Sequence, residues 1–250
     1  ACLDADEVWI WTDVDGILTA DPNIVPGAHT LNELSYEEAE ALAYYGADVL
    51  HPKTVRPVHE AGIPLRILNS YNPDNPGTLI IAEPSPGRTA APAIISTKQL
   101  SLIGVVGNRQ SWGPHIPSRI LQSLAQAGVD VLMFIQPLTE RNLNLVIRRQ
   151  DQAHALRTLE EALATELRLG EIQRVGVQEE VATVSVVGRT SHAPETVLSQ
   201  TFAALGRRGT RIITVAQSLT EHNISFVVPE TEVDDTVCFI HGELGLNNAA

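Results

Sequence analysis

A chain of 250 residues, 44% hydrophobic and 19% charged, is long enough and apolar enough to bury a core, which excludes a disordered polypeptide. Its formal net charge of -13, from 30 acidic and 17 basic residues, argues against nucleic acid or an anionic membrane as the main partner. No apolar run approaches the ~20 residues of a membrane helix, and two cysteines, Cys2 and Cys238, fit reduced thiols in a cytoplasmic protein rather than a disulfide scaffold or a structural zinc site.

The chain opens at Ala1 with no Met or charged leader and runs almost at once into an apolar strand, Val8 to Trp11, as a sequence cut from a longer one would. A polar loop with Gly and Pro follows, from Thr12 to Pro26. Ser35-Tyr36-Glu37-Glu38 is a capping box, and behind it Ala39, Leu42, Ala43 and Ala47 recur at helical spacing. Pro52 at a first-turn position opens a second helix through Ala61, which Gly62 ends. Leu65 to Leu68 reads as a strand and residues 72–77 as a turn. Residues 83–93 hold three prolines and no periodic pattern. They predict a boundary after a first domain, 1–82, with a linker over 83–97.

The remainder repeats itself at an offset of about 81 residues. Residues 136–147 (QPLTERNLNLVI) align with 217–228 (QSLTEHNISFVV), and Gly107, Leu124 and Gly128 meet Gly188, Leu205 and Gly209. Each copy reads strand, helix, strand, turn, strand, helix. In the first, Leu100 to Val106 is a strand, Ile116 to Ala127 a helix ending at Gly128, Val129 to Gln136 and Leu143 to Arg149 a hairpin, and Gln152 to Leu169 one helix. In the second, the strand is Ala182 to Val187, the helix Glu195 to Arg207, the hairpin Arg211 to Val228 and the last helix Glu232 to Glu243. Two βαβ crossovers per copy build a ferredoxin-like (βαββαβ) unit with both helices on one sheet face. The expected class is α/β followed by α+β, with units at 98–178 and 179–250 that pair through their free sheet faces and edges.

Residues 11–22 (WTDVDGILTADP), 33–39 (ELSYEEA) and 46–52 (GADVLHP) resemble the nucleotide-site segments of aspartokinases in the amino-acid kinase family. Asn72-Pro73 and 76–80 (PGTLI) resemble the end of that kinase domain. The repeat looks like the pair of ACT regulatory modules that follows it, with 223–228 (NISFVV) especially similar. The resemblance covers almost the whole chain in order. It implies an ATP site with Mg2+ in the full-length enzyme, to which Thr12, Asp13, Gly16, Asp21 and Asp48 of this chain would contribute. The alternative for Asp13 and Asp15 is that they only cap a tight turn. Two departures weaken the site: relatives commonly carry Lys where Asp48 stands, and often Arg at Asn23. A carboxylate beside a triphosphate repels it by a few kcal/mol at an effective dielectric of ~20. Leu18 replaces a frequent Tyr. The Lys- and Gly-rich phosphate loop has no counterpart in the chain, so the chain alone is expected to be inactive and no catalytic residue is assigned.

The same resemblance places an amino-acid effector between two ACT units, against loops that here are Asn108 to Ile116 and Arg189 to Glu195. Backbone N–H groups at the helix starts near Ile116 and Glu195 suit a carboxylate. Gln136 and Gln217 occupy positions that contact the effector in threonine-responsive relatives, and an amide both donates and accepts, as a neutral amino acid requires. Asn142, Asn223 and Ile224 complete the expected set, although the glutamines also read as solvent-facing turn residues and the asparagines as turn formers. Leu132, where lysine-responsive relatives often carry Asp, leans toward threonine or no effector rather than lysine. His51, His115 and His192 read as structural or loop residues, and Trp112, on a loop that looks exposed, as a lid or interface residue. Three functions stay open: the C-terminal part of an aspartate kinase, forming a homo-oligomer through its ACT units; a stand-alone amino-acid-binding regulatory subunit; and a degenerate kinase.

Overall fold

In the computed structural model the described residues are 5–45, 50, 52–85, 92–108, 112–137, 141–188, 194–217 and 223–248. Asp48, His51, His192 and Cys2 lie outside them. The described chain divides into two units. One comprises Ala1–Thr97, Val184–Phe226 and Glu232–Ala250; the other comprises Lys98–Thr183 and Val227–Thr231.

The first unit begins with strand β1 (Val8–Thr12) and continues through β2 (Glu33–Ser35), helix α1 (Tyr36–Tyr45), α2 (Pro52–Ala61), β3 (Leu65–Asn69) and β4 (Thr78–Ile81). These four strands form one sheet in the order β1-β3-β4-β2. β1 runs parallel to β3, with Val8 opposite Leu65 and Thr12 opposite Asn69, and β3 runs antiparallel to β4. The capping box forms as its sequence demands. The Ser35 N–H donates to Glu38 Oε2 at 2.8 Å, and the Glu38 N–H donates to Ser35 Oγ at 3.1 Å. Behind it Ala39 and Leu42 are buried with Tyr36, Leu65, Ile67 and Ile80 in an aliphatic core. β2 and β4 are three and four residues long, too short to register as strands in the sequence pattern.

The second unit contains β5 (Ala93–Gly107) from Lys98 onward, α3 (His115–Gln126), β6 (Val131–Ile135), β7 (Asn142–Arg148), α4 (Gln152–Ala162), α5 (Ala164–Arg168) and β8 (Ile172–Val187) up to Thr183. Its strands follow the order β6-β7-β5-β8, with β5 and β7 antiparallel from Leu100 opposite Arg148 to Val106 opposite Asn142. α3 packs on α4 over a core of Ile103, Ile120, Leu124, Leu145 and Leu159. The single helix expected over 152–169 is two: Leu163 leaves the helical region at φ -108 and ψ 13. The i→i−4 bonds persist on either side, Leu163 N–H to Leu159 O and Leu167 N–H to Leu163 O, both at 2.9 Å, so the spacing of the buried leucines survives the bend.

The end of β8, α6 (Pro194–Arg208), β9 (Thr214–Gln217), β10 (Asn223–Pro229) and α7 (Val233–Glu243) carry the second copy of the repeat, with strand order β8-β10-β9 and α6 packed on α7. The two copies stop their first helices alike. Gly128 and Gly209 take φ of +71 and +73, and the residues after them, Val129 and Thr210, donate to Leu124 O and Leu205 O.

Two expectations are corrected. Residues 93–97, expected in the linker, are strand: after Pro92 the sequence Ala-Ile-Ile-Ser-Thr is short, apolar and β-branched. β5 and β8 are both longer than the strands foreseen, because Gln99 (φ 59) and Glu180 (φ 54) turn the backbone locally without ending the ladder. Among the described residues no helix is long and apolar enough to cross a membrane.

Candidate functional site

β1 delivers its last residue, Thr12, to the rim of a loop that runs back to β2. The loop is held from within. The Leu31 N–H donates to Ile17 O at 2.7 Å, the Thr19 N–H to His29 O at 2.9 Å, and Leu18 bridges Thr30. Asp21 closes a short turn, its Oδ1 accepting from the Asn23 N–H at 2.9 Å and from Asn23 Nδ2 at 3.0 Å.

Between this loop and neighbouring elements lies a cleft of about 400 Å³. Thr12, Asp13, Leu18, Asp21 and Asn23 line it from the loop, Leu42 from α1, and Ala93 to Ser96 from the start of β5. Three of the five nucleotide-site residues expected from the resemblance, Thr12, Asp13 and Asp21, therefore converge, and the Thr12 hydroxyl donates to Asp13 Oδ1 at 3.1 Å. Gly16 is not among the lining residues. It is buried beneath the loop at φ +106, where any Cβ would stand 2.5 Å from Thr78 Oγ1, so its role is to let the chain turn against β4. Asp15 accepts from Asn69 Nδ2 at 2.7 Å and Asn72 Nδ2 at 3.1 Å, so its carboxylate ties the loop to the end of β3. Asp48 lies outside the described residues.

Among the described residues that line the cleft there are two carboxylates and no Lys, Arg or His. Its hydroxyl, carboxylates and aliphatic wall suit a ribose or a flat base. They do not neutralise phosphates. Among the described residues no three Asp, Glu, His or Cys side chains converge into an all-protein metal cage. The β5 segment at 93–96 was invisible as a lining element because it lies some 80 residues from Thr12 in sequence.

The expected effector residues divide by burial. Gln136, just past β6, and Gln217, at the end of β9, are both exposed. Asn142 opens β7 opposite Val106, and Asn223 opens β10 and is buried. Ile116 and Ile224 are 1% and 4% exposed, so their side chains pack in the core and any contact with an effector would be through their backbone. The Ile116 N–H, moreover, is used by Gly113 O at 3.1 Å.

Trp112 is corrected from an exposed loop residue to a core residue. Its ring lies so close over Gly107 that a Cβ there would stand 2.2 Å from its Cε3. Its indole N–H is buried without a hydrogen-bond partner among the described residues. A glycine at the end of a strand, facing a Trp across a polar loop, is the signal that could have found this.

The amino acid kinase family model matches residues 1–69 and an ACT domain model matches residues 184–244. The bifunctional aspartokinase/homoserine dehydrogenase of Haemophilus influenzae is 32% identical over 244 residues, covering 98% of this chain and 30% of the relative. The chain is similar to the aspartokinases along almost its whole length. Aspartate kinase of Clostridium acetobutylicum superposes with a TM-score of 0.85 at 26% identity, covering 97% of this chain and 55% of that one. Aspartokinase III of E. coli superposes at 0.78 and 25% identity in its complex with aspartate and ADP, and at 0.74 and 27% in its complex with lysine and aspartate, covering 97% of this chain each time. The aspartokinase resemblance thus runs through both parts of the chain, while the chain spans under a third of the Haemophilus relative and about half of the solved aspartokinases.

Proposed function

We propose that this chain supplies one wall of the nucleotide site and the amino-acid-sensing units of an aspartate kinase, which transfers a phosphoryl group from ATP to the side-chain carboxylate of L-aspartate. The observation that carries this reading is the cleft at the end of β1, where Thr12, Asp13 and Asp21 meet, in a chain aligned over 97% of its length with an ADP-binding aspartokinase. The Asp13 carboxylate and the Thr12 oxygen, whose own hydrogen goes to Asp13, offer acceptors to the hydroxyl or amino groups of a nucleoside. The cations for the phosphates would come from outside these residues, and Mg2+ would enter with the phosphates.

The ACT units would take a neutral amino-acid effector, with Gln136 and Gln217 at matching ends of β6 and β9. Threonine is favoured over lysine because Leu132, half-buried in β6, offers no carboxylate to a second ammonium group. Self-association through the sheet of this region is supported by Phe134 on β6, which is 58% exposed. The lack of a cation among the described lining residues also favours a second reading, in which the chain binds nucleoside and amino acid but performs no phosphoryl transfer.

Calorimetric titration of the chain with ADP, threonine, lysine and methionine tests both. The first reading expects weak ADP binding, heat with threonine and no turnover by the chain alone. Folded protein that gives no heat with any amino acid would remove the regulatory assignment. In a longer protein that contains this chain, tight ATP binding with turnover, before any Asp48→Lys exchange, would exclude the second reading.

A further inference from the structure

α7 belongs to the second repeat copy, yet its side chains reach the loop that borders the cleft. His241 and Thr19 are both fully buried, 222 residues apart in sequence. Imidazole Nε2 lies 2.9 Å from Thr19 Oγ1, and Nδ1 lies 2.8 Å from Asn247 Oδ1. Nearby, the Cys238 thiol donates to Ile24 O at 3.1 Å. Asn247 Oδ1 stands 3.3 Å from where a Cβ on Gly27 would lie. Thr19 sits between Leu18 and Ala20, both of which line the cleft.

The proton count of this cluster is restrictive. Asn247 presents an oxygen, so Nδ1 carries the hydrogen and Nε2 is an acceptor. Thr19 Oγ1 already accepts the His29 N–H at 3.2 Å, so its own hydroxyl hydrogen is free to donate to Nε2. The neutral Nδ1–H imidazole satisfies every group. A second proton on Nε2 would face Thr19 Oγ1 with another donor and leave the hydroxyl hydrogen without its acceptor.

We infer that His241 is a positioning residue: as a neutral imidazole it fixes the loop bordering the nucleotide cleft, and protonation of its ring releases that loop. This rests on the cleft being the nucleotide site. The charged groups around it do not offset a positive ring. His29, on the loop, opposes it by like charge. On α6, Arg207 and Arg208 are paired with Glu243 and Asp235 of α7, and Asp21 is engaged with Asn23. Burial lowers the His241 pKa below 6.5; the bond to Asn247 works the other way, and His29 adds to the lowering.

The test uses the 250-residue chain, with ring 15N NMR of His241 and backbone amides of residues 18–23 followed from about pH 7.5 to about pH 5. The expected result is an Nδ1–H tautomer whose protonation shares its midpoint with the loop shifts. Loop amides that stay still while His241 titrates would overturn the proposal. ADP calorimetry supplies the second readout, with affinity expected to fall about fivefold across the same range. His241→Gln, which accepts from Thr19 but cannot protonate, should keep affinity and lose the pH dependence. Thr19→Val should weaken binding about fivefold at neutral pH, and Thr19→Ser should restore it. A Gln variant that keeps the wild-type pH profile would equally overturn the proposal. If ADP fails to bind at any pH, the nucleotide reading falls, while the NMR arm still decides whether the histidine holds the loop.

Discussion

The Thr78 hydroxyl accepts the Ile17 N–H at 2.8 Å, and that same oxygen occupies the space a side chain on Gly16 would need. The start of the cleft loop is thereby pinned to β4. Gly16→Ala should cost about 2–4 kcal/mol, from the clash and the positive φ together. Thr78→Val, which leaves a buried N–H without its acceptor, should cost about 1–3 kcal/mol. Urea denaturation followed by circular dichroism measures both. An alanine at position 16 that unfolds within about 0.5 kcal/mol of wild type would show that the loop is not packed this way.

The reciprocal Ser35–Glu38 cap satisfies two N–H groups at the start of α1. Ser35→Ala and Glu38→Ala should each destabilise by about 1 kcal/mol. Because the two bonds share one helix end, the double mutant should lose less than the sum. A double-mutant cycle in urea checks this, and strict additivity would argue against a shared cap.

Trp112 closes over Gly107 with its indole N–H unpaired among the described residues. Trp112→Phe, which removes that polar group and keeps most of the ring, should change stability by less than about 1 kcal/mol. Gly107→Ala should displace the ring and cost about 2 kcal/mol. The two melting curves separate the packing role from the polar one. A Phe variant that loses more than about 3 kcal/mol would mean that the N–H has a partner.

A cleft with two carboxylates and no cation among its described lining residues should bind adenosine, ADP and ATP with no gain along the series. Asp21→Lys should favour ATP over adenosine by about fivefold at low salt, and the preference should fade as salt is added. Affinity that already rises steeply from adenosine to ATP in the unaltered chain would show that a cation reaches the site.

His241 also makes stability depend on pH. Its folded pKa lies below the 6.5 it would have in the unfolded chain, so the unfolded state takes up the proton first. Its contribution is complete above about pH 6.5 and is lost as the pH falls toward and through the lowered folded value. Thermal unfolding at a series of pH values should show this decline, and His241→Phe should be flatter over the same interval despite a lower starting stability. Parallel curves would assign the decline to other groups.

The elements legible in the sequence were those fixed by neighbours in the chain. The Ser35–Glu38 cap is three residues wide, and Gly128 and Gly209 end their helices by bonds to residues five back from the one that follows. The repeat was legible because one pattern of buried positions recurs. What escaped notice depended on distant partners. β2 exists as a strand because β4 lies beside it. Trp112 is buried because Gly107 leaves its backbone bare. In the candidate site, Thr12, Asp13 and Asp21 came from motif resemblance, but the wall made by residues 93–96 and the His241 anchor came only from the tertiary fold. The burial of the Ile116 and Ile224 side chains was not legible either, because conformity to a motif does not say which way a side chain faces.

The first unit is assembled from three stretches of chain, the last beginning at Glu232. Its consequence lies in biosynthesis. The cleft loop leaves the ribosome 222 residues before the histidine that anchors it, a delay on the order of 10–40 seconds at ordinary elongation rates. Through that interval the newborn loop has no latch. Substitutions such as Gly16→Ala or Thr19→Val should therefore lower the yield of soluble protein more than their effect on the finished molecule would suggest, and slower translation should widen the gap.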